Sequence, residues 1–94
     1  MKLSGEQIGV VNRAFAYVMW KNDSGELRKN VFFAERALKN CDILKIEEYS
    51  ALIEIVLYEY HKALTSHNPF PPGLTVINPE SEVKLAEDLL PLFK

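Results

Sequence analysis

The spacing of apolar residues predicts that most of this chain is α-helical. Between positions 8 and 19, apolar side chains recur three and four residues apart, which is the period of one helix face. The residues with this spacing are Ile8, Val11, Ala14, Phe15, Val18 and Met19. Ser4, followed three positions later by Gln7, matches the pattern of a capping box. We therefore expect a first helix over residues 5–21.

A second helix is predicted after the turn-forming segment 22–25, with Asp23 as its N-cap and an end near Asn40. Its apolar face consists of Leu27, Val31, Ala34, Ala37, Leu38 and Cys41. Cys41 is accordingly expected to be a buried structural residue. A β-hairpin is the alternative, because segments 15–20 and 27–33 are rich in aromatic and β-branched residues. Strict alternation of apolar and polar positions is not maintained, which favours helices.

The longest apolar segment, residues 43–64, predicts one long third helix with more apolar surface than a single buried face needs. An arc about 140° wide holds a sufficient core stripe. This stripe contains Ile46, Tyr49, Leu52, Ile53, Val56, Leu57, Tyr60, Ala63 and Leu64. A second apolar line lies opposite, among glutamates, and contains Leu44, Ala51, Ile55 and Tyr58. Either other helices or a partner must cover the second line.

Prolines separate the third helix from the last one. Segment 65–73 contains three prolines, which fix φ and remove backbone donors, so residues 66–79 are predicted to be a Pro-rich connector. Phe70 is expected to pack over the core as a plug. Asn78 followed by Pro79 has the pattern of a helix start, and the last helix is expected over residues 80–94. Its apolar stripe is Val83, Ala86, Leu89, Leu90 and Phe93.

These elements predict an all-α fold in a single domain over residues 1–94. The expected architecture is a small bundle of about four helices, with a long third helix and the Pro-rich connector before the last. A length of 94 residues is consistent with one domain. The single cysteine fits a reducing compartment, and the first ten residues lack the apolar run of a secretory signal. We expect a cytoplasmic protein that does not contact a membrane.

The charge of −2 is unevenly distributed along the chain. Residues 1–41 carry seven basic and four acidic side chains, and residues 42–94 carry four basic and nine acidic side chains. The first part therefore has a charge of +3 and the second a charge of −5. Such a distribution suits contacts between copies of the chain, or docking on a charged partner.

Apolar residues outside the predicted core arcs are the candidates for a partner surface. Aromatic side chains concentrate binding energy at interfaces, and several of these residues are aromatic. The candidates are Tyr17, Trp20, Leu44, Ile55 and Tyr58. We interpret the chain as a non-catalytic interaction or regulatory protein that self-associates, most simply as a dimer, or binds another protein.

The second helix supports an alternative function in nucleic-acid binding. Four basic residues surround one phenylalanine, so they would contact phosphates while the ring stacks on a base. The residues concerned are Arg28, Lys29, Phe32, Arg36 and Lys39. The acidic net charge of the whole chain weighs against this alternative.

Catalytic motifs are absent from the sequence, which contains no nucleophile elbow, phosphate-binding glycine loop or dinucleotide fingerprint. No cofactor or metal is predicted. Glu47, Glu54 and His61 recur seven residues apart and so share one helix face. An enzyme built from these three residues across a dimer interface is therefore a third hypothesis.

Overall fold

The computed structural model describes residues 3–67, 69–74 and 76–93, and within these ranges every regular element is helical. The α-helices are α1 (Gly5–Lys21), α2 (Gly25–Lys39), α3 (Ile43–Glu48), α4 (Ser50–Thr65) and α5 (Pro79–Leu89). A 3-10 segment, Leu90–Phe93, follows α5 directly. The predicted all-α class is confirmed. The alternative β-hairpin over residues 15–33 is wrong, because these residues belong to α1, α2 and the turn between them.

The segment expected to form one long third helix is divided at Tyr49 into α3 and α4. Tyr49 has φ −100° and ψ 9°, outside the helical range, and it serves as the C-cap of α3. The hydroxyl of Ser50 donates a hydrogen bond of 2.8 Å to the carbonyl of Glu47, which satisfies an acceptor at the end of α3. Leu44 therefore belongs to a different helix from Ile55 and Tyr58.

The starts of α1 and α5 agree with their sequence signatures. Ser4 and Gln7 form a reciprocal capping box, in which each side chain accepts a hydrogen bond from the other backbone N–H, at 3.1 and 2.8 Å. Asn78 caps α5 by accepting a hydrogen bond from the N–H of Ser81 at 3.2 Å, and Pro79 is the first helical residue. Helix α5 thus begins one residue earlier than position 80.

The cap of α2 is Ser24, so the assignment of Asp23 to this role is wrong. The hydroxyl of Ser24 accepts a hydrogen bond from the N–H of Leu27 at 3.4 Å. The carboxylate of Asp23 instead accepts one from Nε of Arg28 at 2.8 Å. The two residues are adjacent and both are good N-caps, so their order along the chain does not decide between them.

Cys41 is exposed, and the expectation that it is buried is wrong. Helix α2 ends in a Schellman arrangement, in which the N–H of Cys41 bonds to the carbonyl of Leu38 and the N–H of Asp42 bonds to that of Ala37. Cys41 has the left-handed φ of 53° that this arrangement requires. The helix therefore stops before Cys41, and the side chain leaves the apolar face of α2.

The core lies between α1, α4 and α5. Helices α1 and α4 form the most extensive pair, α5 packs against both, and the 3-10 segment closes against α4 and α5. Helix α2 packs on α1 and α3. The largest fully buried side chains are Phe15, Ile53, Leu57, Tyr60 and Leu89. The radius of gyration is 12.3 Å, and about 12 Å is typical of a compact domain of this length.

The connector brings Phe70 onto this core, in agreement with its expected role as a plug. The ring of Phe70 lies edge-to-face with Tyr17 and Tyr60, at centroid separations of 5.3 and 5.9 Å. Such pairs are favourable beyond the burial of their apolar area. The connector is thus held to the core although residues 69–74 and 76–78 contain no regular element.

Candidate interaction surfaces

The outer side of α4 is the clearest apolar surface left uncovered in the fold. The side of this helix that faces the core carries Ile53, Val56, Leu57, Tyr60, Ala63 and Leu64. On the other side Ile55 is 60% exposed and Tyr58 is 56% exposed. These two residues are three positions apart, so their side chains are neighbours on the helix surface.

Ile55 and Tyr58 line a groove of about 620 Å³ together with two glutamates and a leucine. The complete lining is Glu54, Ile55, Tyr58, Glu59 and Leu90. We refer to these five residues as the α4 strip. Its centre is apolar, its two edges carry a carboxylate each, and its far wall is Leu90 of the 3-10 segment. Lys62 is exposed one turn beyond Tyr58 on the same helix.

The other three predicted interface residues are distributed elsewhere. Tyr17 is 3% exposed, so its assignment to a surface is wrong: Phe70 and Tyr60 pack against its ring. Trp20 is 46% exposed near the end of α1, where its ring lies 6.2 Å from that of Tyr17. Leu44 is 78% exposed on α3. Neither Trp20 nor Leu44 lines the groove of the α4 strip.

The five residues predicted to contact nucleic acid share one face of α2. Winding α2 at about 100° per residue places them within one arc roughly 100° wide, opposite the buried Val31, Ala34 and Leu38. All five are exposed. We refer to them as the α2 face, and they are Arg28, Lys29, Phe32, Arg36 and Lys39. Phe32 is 59% exposed at the centre of this face.

A groove of about 540 Å³ runs between α1 and the α2 face. Its lining residues are Ile8, Asn12, Phe32, Glu35, Arg36, Lys39 and Asn40. Partial burial raises the pKa of Glu35 above its usual range. The groove thus combines apolar surface from Ile8 and Phe32 with two cations and one carboxylate.

A buried polar network that the sequence pattern did not reveal ties α1, α4 and α5 together. Arg13 donates two hydrogen bonds to the carboxylate of Glu82, at 2.5 and 2.9 Å, and the hydroxyl of Tyr60 donates a third, at 2.5 Å. Burial, reinforced by the bond to Glu82, raises the pKa of the Tyr60 hydroxyl above its usual value. The hydrogen bond to Glu82 likewise raises the pKa of Arg13.

This network is a structural clasp, because its groups satisfy one another inside the fold. Glu82 is 5% exposed, and no buried side-chain nitrogen or oxygen among the described residues lacks a hydrogen-bond partner. The available sequence signal was a glutamate within the apolar stripe of α5, because at about 100° per residue Glu82 falls between Leu89 and Ala86. That signal does not identify Arg13 and Tyr60 as the partners.

Within one copy of the chain, the three residues of the third hypothesis do not form a common site. His61 lies 3.0 Å from a carboxylate oxygen of Glu87 on α5, so its ring is directed to a different acid. Glu47 lies on α3, beyond the break at Tyr49, whereas Glu54 belongs to the α4 strip. In the part of the chain that the structure describes, no group of three or more His, Cys, Asp or Glu residues is placed to hold a metal ion.

Comparison of the chain with protein-family models, with curated proteins and with solved structures gave no match. Among the described residues, none of the helices has the length and apolar character required to cross a membrane. The α4 strip and the α2 face are therefore the two features of the molecule that bear on its function.

Proposed function

We propose that this protein is a non-catalytic interaction protein that self-associates through the α4 strip. The observation that supports this proposal is the exposure of Ile55 and Tyr58 by more than half each, side by side at the centre of a groove. Contiguous apolar surface of this kind is typical of sites that bind a protein partner. We also propose that this self-association serves a regulatory role.

The composition of the α4 strip matches the anatomy of a small interface. A tyrosine and a branched aliphatic residue at the centre can supply most of the binding energy when they are desolvated. Glu54 and Glu59 at the edges keep the strip hydrated in the free protein and restrict the choice of partner by charge. A dimer is the simplest assembly that buries the strip.

We further propose that the protein acts in the reducing environment of the cytoplasm. Cys41 is the only cysteine in the sequence, and its thiol is exposed at the end of α2. An exposed thiol persists without oxidation in a reducing compartment.

Replacement of Ile55 by glutamate tests the proposed self-association. A charge at the centre of the strip must be desolvated when the partner binds, so we expect Ile55→Glu to weaken association at least about 30-fold. Ile77→Glu is the matched control, since Ile77 is 94% exposed and lies outside the strip. Sedimentation velocity over a range of protein concentrations measures both variants.

The result that supports the proposal is an oligomeric native protein that becomes monomeric with Ile55→Glu and stays oligomeric with Ile77→Glu. A native protein that sediments as a monomer up to several hundred micromolar would show that self-association through the strip is wrong. Helical content by circular dichroism confirms that both variants remain folded.

Nucleic-acid binding by the α2 face is the second candidate function. The fold favours it in one respect, because all five predicted residues are exposed in a single arc. Arg36→Ala is then expected to weaken binding to DNA or RNA and to flatten its dependence on salt by about one counterion. An electrophoretic assay at low salt measures this, and the absence of any shift for the native protein would exclude the candidate.

A further inference from the structure

The α4 strip and the α2 face have complementary charge around an apolar centre. Glu54 and Glu59 border the apolar residues of the strip, whereas four cations surround Phe32 on the α2 face. Arg36 and Lys39 are the cations that line the groove beside α2, whereas Arg28 is paired with Asp23 at 2.8 Å. The opposite charges are therefore placed on two different surfaces of one chain.

The two surfaces also match in the kind of side chain each can accept, and they lie on helices of similar length. Helix α2 has 15 residues and α4 has 16, which correspond to about 22 and 24 Å at the rise of an α-helix. The lining of the groove beside α2 includes the apolar Phe32 and Ile8 and the cation Arg36. An aromatic ring such as that of Tyr58 gains both apolar contact and cation–π attraction in this setting.

We infer that the partner of the α4 strip is the α2 face of a second copy of this chain, with Tyr58 of one copy inserted in the groove between α1 and α2 of the other. Glu54 and Glu59 then lie against Arg36 and Lys39 of the second copy. This inference rests on the proposed self-association and specifies the surface that the α4 strip binds.

Glu35 is the one acidic residue that also lines the groove beside α2. It is partly buried, and Arg36 and Lys39 line the same groove, so the cations outnumber it. An approaching pair of glutamates consequently encounters an excess of positive charge.

The contact joins two different surfaces, the α4 strip of one copy and the α2 face of the other. Each copy offers one strip and one α2 face, so a two-fold symmetric dimer in which the strip of each copy binds the α2 face of the other contains this contact twice. A direct contact of one α4 strip with another, by contrast, leaves both α2 faces uncovered.

Charge reversal on each surface separately provides the test. One variant carries Arg36→Glu with Lys39→Glu, and the other carries Glu54→Lys with Glu59→Lys. Each variant alone places like charges across the contact, so we expect the dissociation constant for self-association to rise at least about tenfold. Mixing the two variants restores opposite charges at every contact. The mixture is therefore expected to associate within about threefold of the native affinity.

Sedimentation equilibrium of each variant and of the equimolar mixture gives these affinities, and circular dichroism verifies that the helices are intact. Recovery in the mixture supports the inference. Two outcomes overturn it while the proposed function stands: the charge reversals leave association unchanged although Ile55→Glu abolishes it, or the mixture remains as weak as its components. An α2-face reversal that abolishes nucleic-acid binding without affecting self-association would also overturn it.

Discussion

Glu82 lies on α5 with 5% of its surface exposed, and its carboxylate accepts hydrogen bonds from Arg13 on α1 and Tyr60 on α4. A buried carboxylate is tolerated only when it is paired and its lone pairs are occupied, and both conditions hold here. At the scale of single residues, this cluster is the main polar contribution to the joining of the three core helices.

Glu82→Gln is expected to lower the free energy of unfolding by about 2 kcal/mol, because it leaves the charge of the partly buried Arg13 without its partner. Glu80→Gln is the matched control, since Glu80 is exposed in the first turn of the same helix. We expect the control to change stability by no more than about 0.5 kcal/mol. Urea unfolding measures both, and equal losses for the two variants would contradict the role assigned to the clasp.

Tyr60 makes the stability of the protein depend on pH in the alkaline range. Its pKa is raised in the folded state, so its contribution to stability is complete below the ordinary tyrosine pKa and decreases as pH rises towards the folded-state value. Tyr60→Phe cannot titrate. The stability advantage of the native protein over Tyr60→Phe is therefore expected to shrink above about pH 10, by up to about 1.4 kcal/mol per pH unit. Urea unfolding between pH 8 and pH 11 tests this, and parallel curves would contradict it.

At the scale of the elements, the ends of the helices determine which side chains reach the surface. The Schellman arrangement after α2 moves Cys41 out of the apolar face, and the break at Tyr49 separates Leu44 from the residues of α4. Both features shorten a helix relative to its apolar pattern. A helix boundary that differs by one or two residues thus changes which residues are candidates for a site.

Cys41→Gly is expected to stabilise the protein by about 1 kcal/mol, because glycine adopts the left-handed conformation at this position without steric cost. Cys41 has φ 53° and an exposed side chain, so little packing is lost. Cys41→Ala removes the thiol but keeps the β-carbon, and we expect it to leave stability within about 0.5 kcal/mol of the native value. Thermal unfolding under reducing conditions compares the three proteins, and a destabilised glycine variant would refute the assignment.

At the scale of the whole molecule, the connector completes the core and the charge separation remains on the surface. Phe70 covers Tyr17 and Tyr60, so the ring of Tyr17 on α1 is occupied within the chain. The outer side of α4 receives no such cover from the described residues. This difference is why the proposed interface contains Ile55 and Tyr58 and excludes Tyr17.

Phe70→Ala is expected to cost about 2 kcal/mol of stability, because it removes a partly buried ring from two edge-to-face contacts. Pro72→Ala serves as the control in the same connector, since Pro72 is exposed. Thermal and urea unfolding provide the measurement. A loss for Phe70→Ala no larger than that for Pro72→Ala would show that the connector does not stabilise the core.

The sequence by itself determined the all-α class, the starts of α1 and α5, and the identity of most core residues. These properties depend on two local signals. One is the period of the apolar residues, and the other is the N-cap side chain, which accepts a hydrogen bond from the backbone N–H three residues further along the chain. The clustering of the basic residues on one face of α2 is likewise a consequence of helix periodicity alone.

Only the tertiary structure decided which apolar residues are covered and which acids are buried. Arg13 and Glu82 are 69 positions apart, and Phe70 reaches Tyr17 from a connector with no periodic pattern. Contacts of this kind depend on how the helices pack, which no local signal encodes. The tertiary structure therefore removed Tyr17 from the candidate interface and left the α4 strip and the α2 face as the surfaces to test.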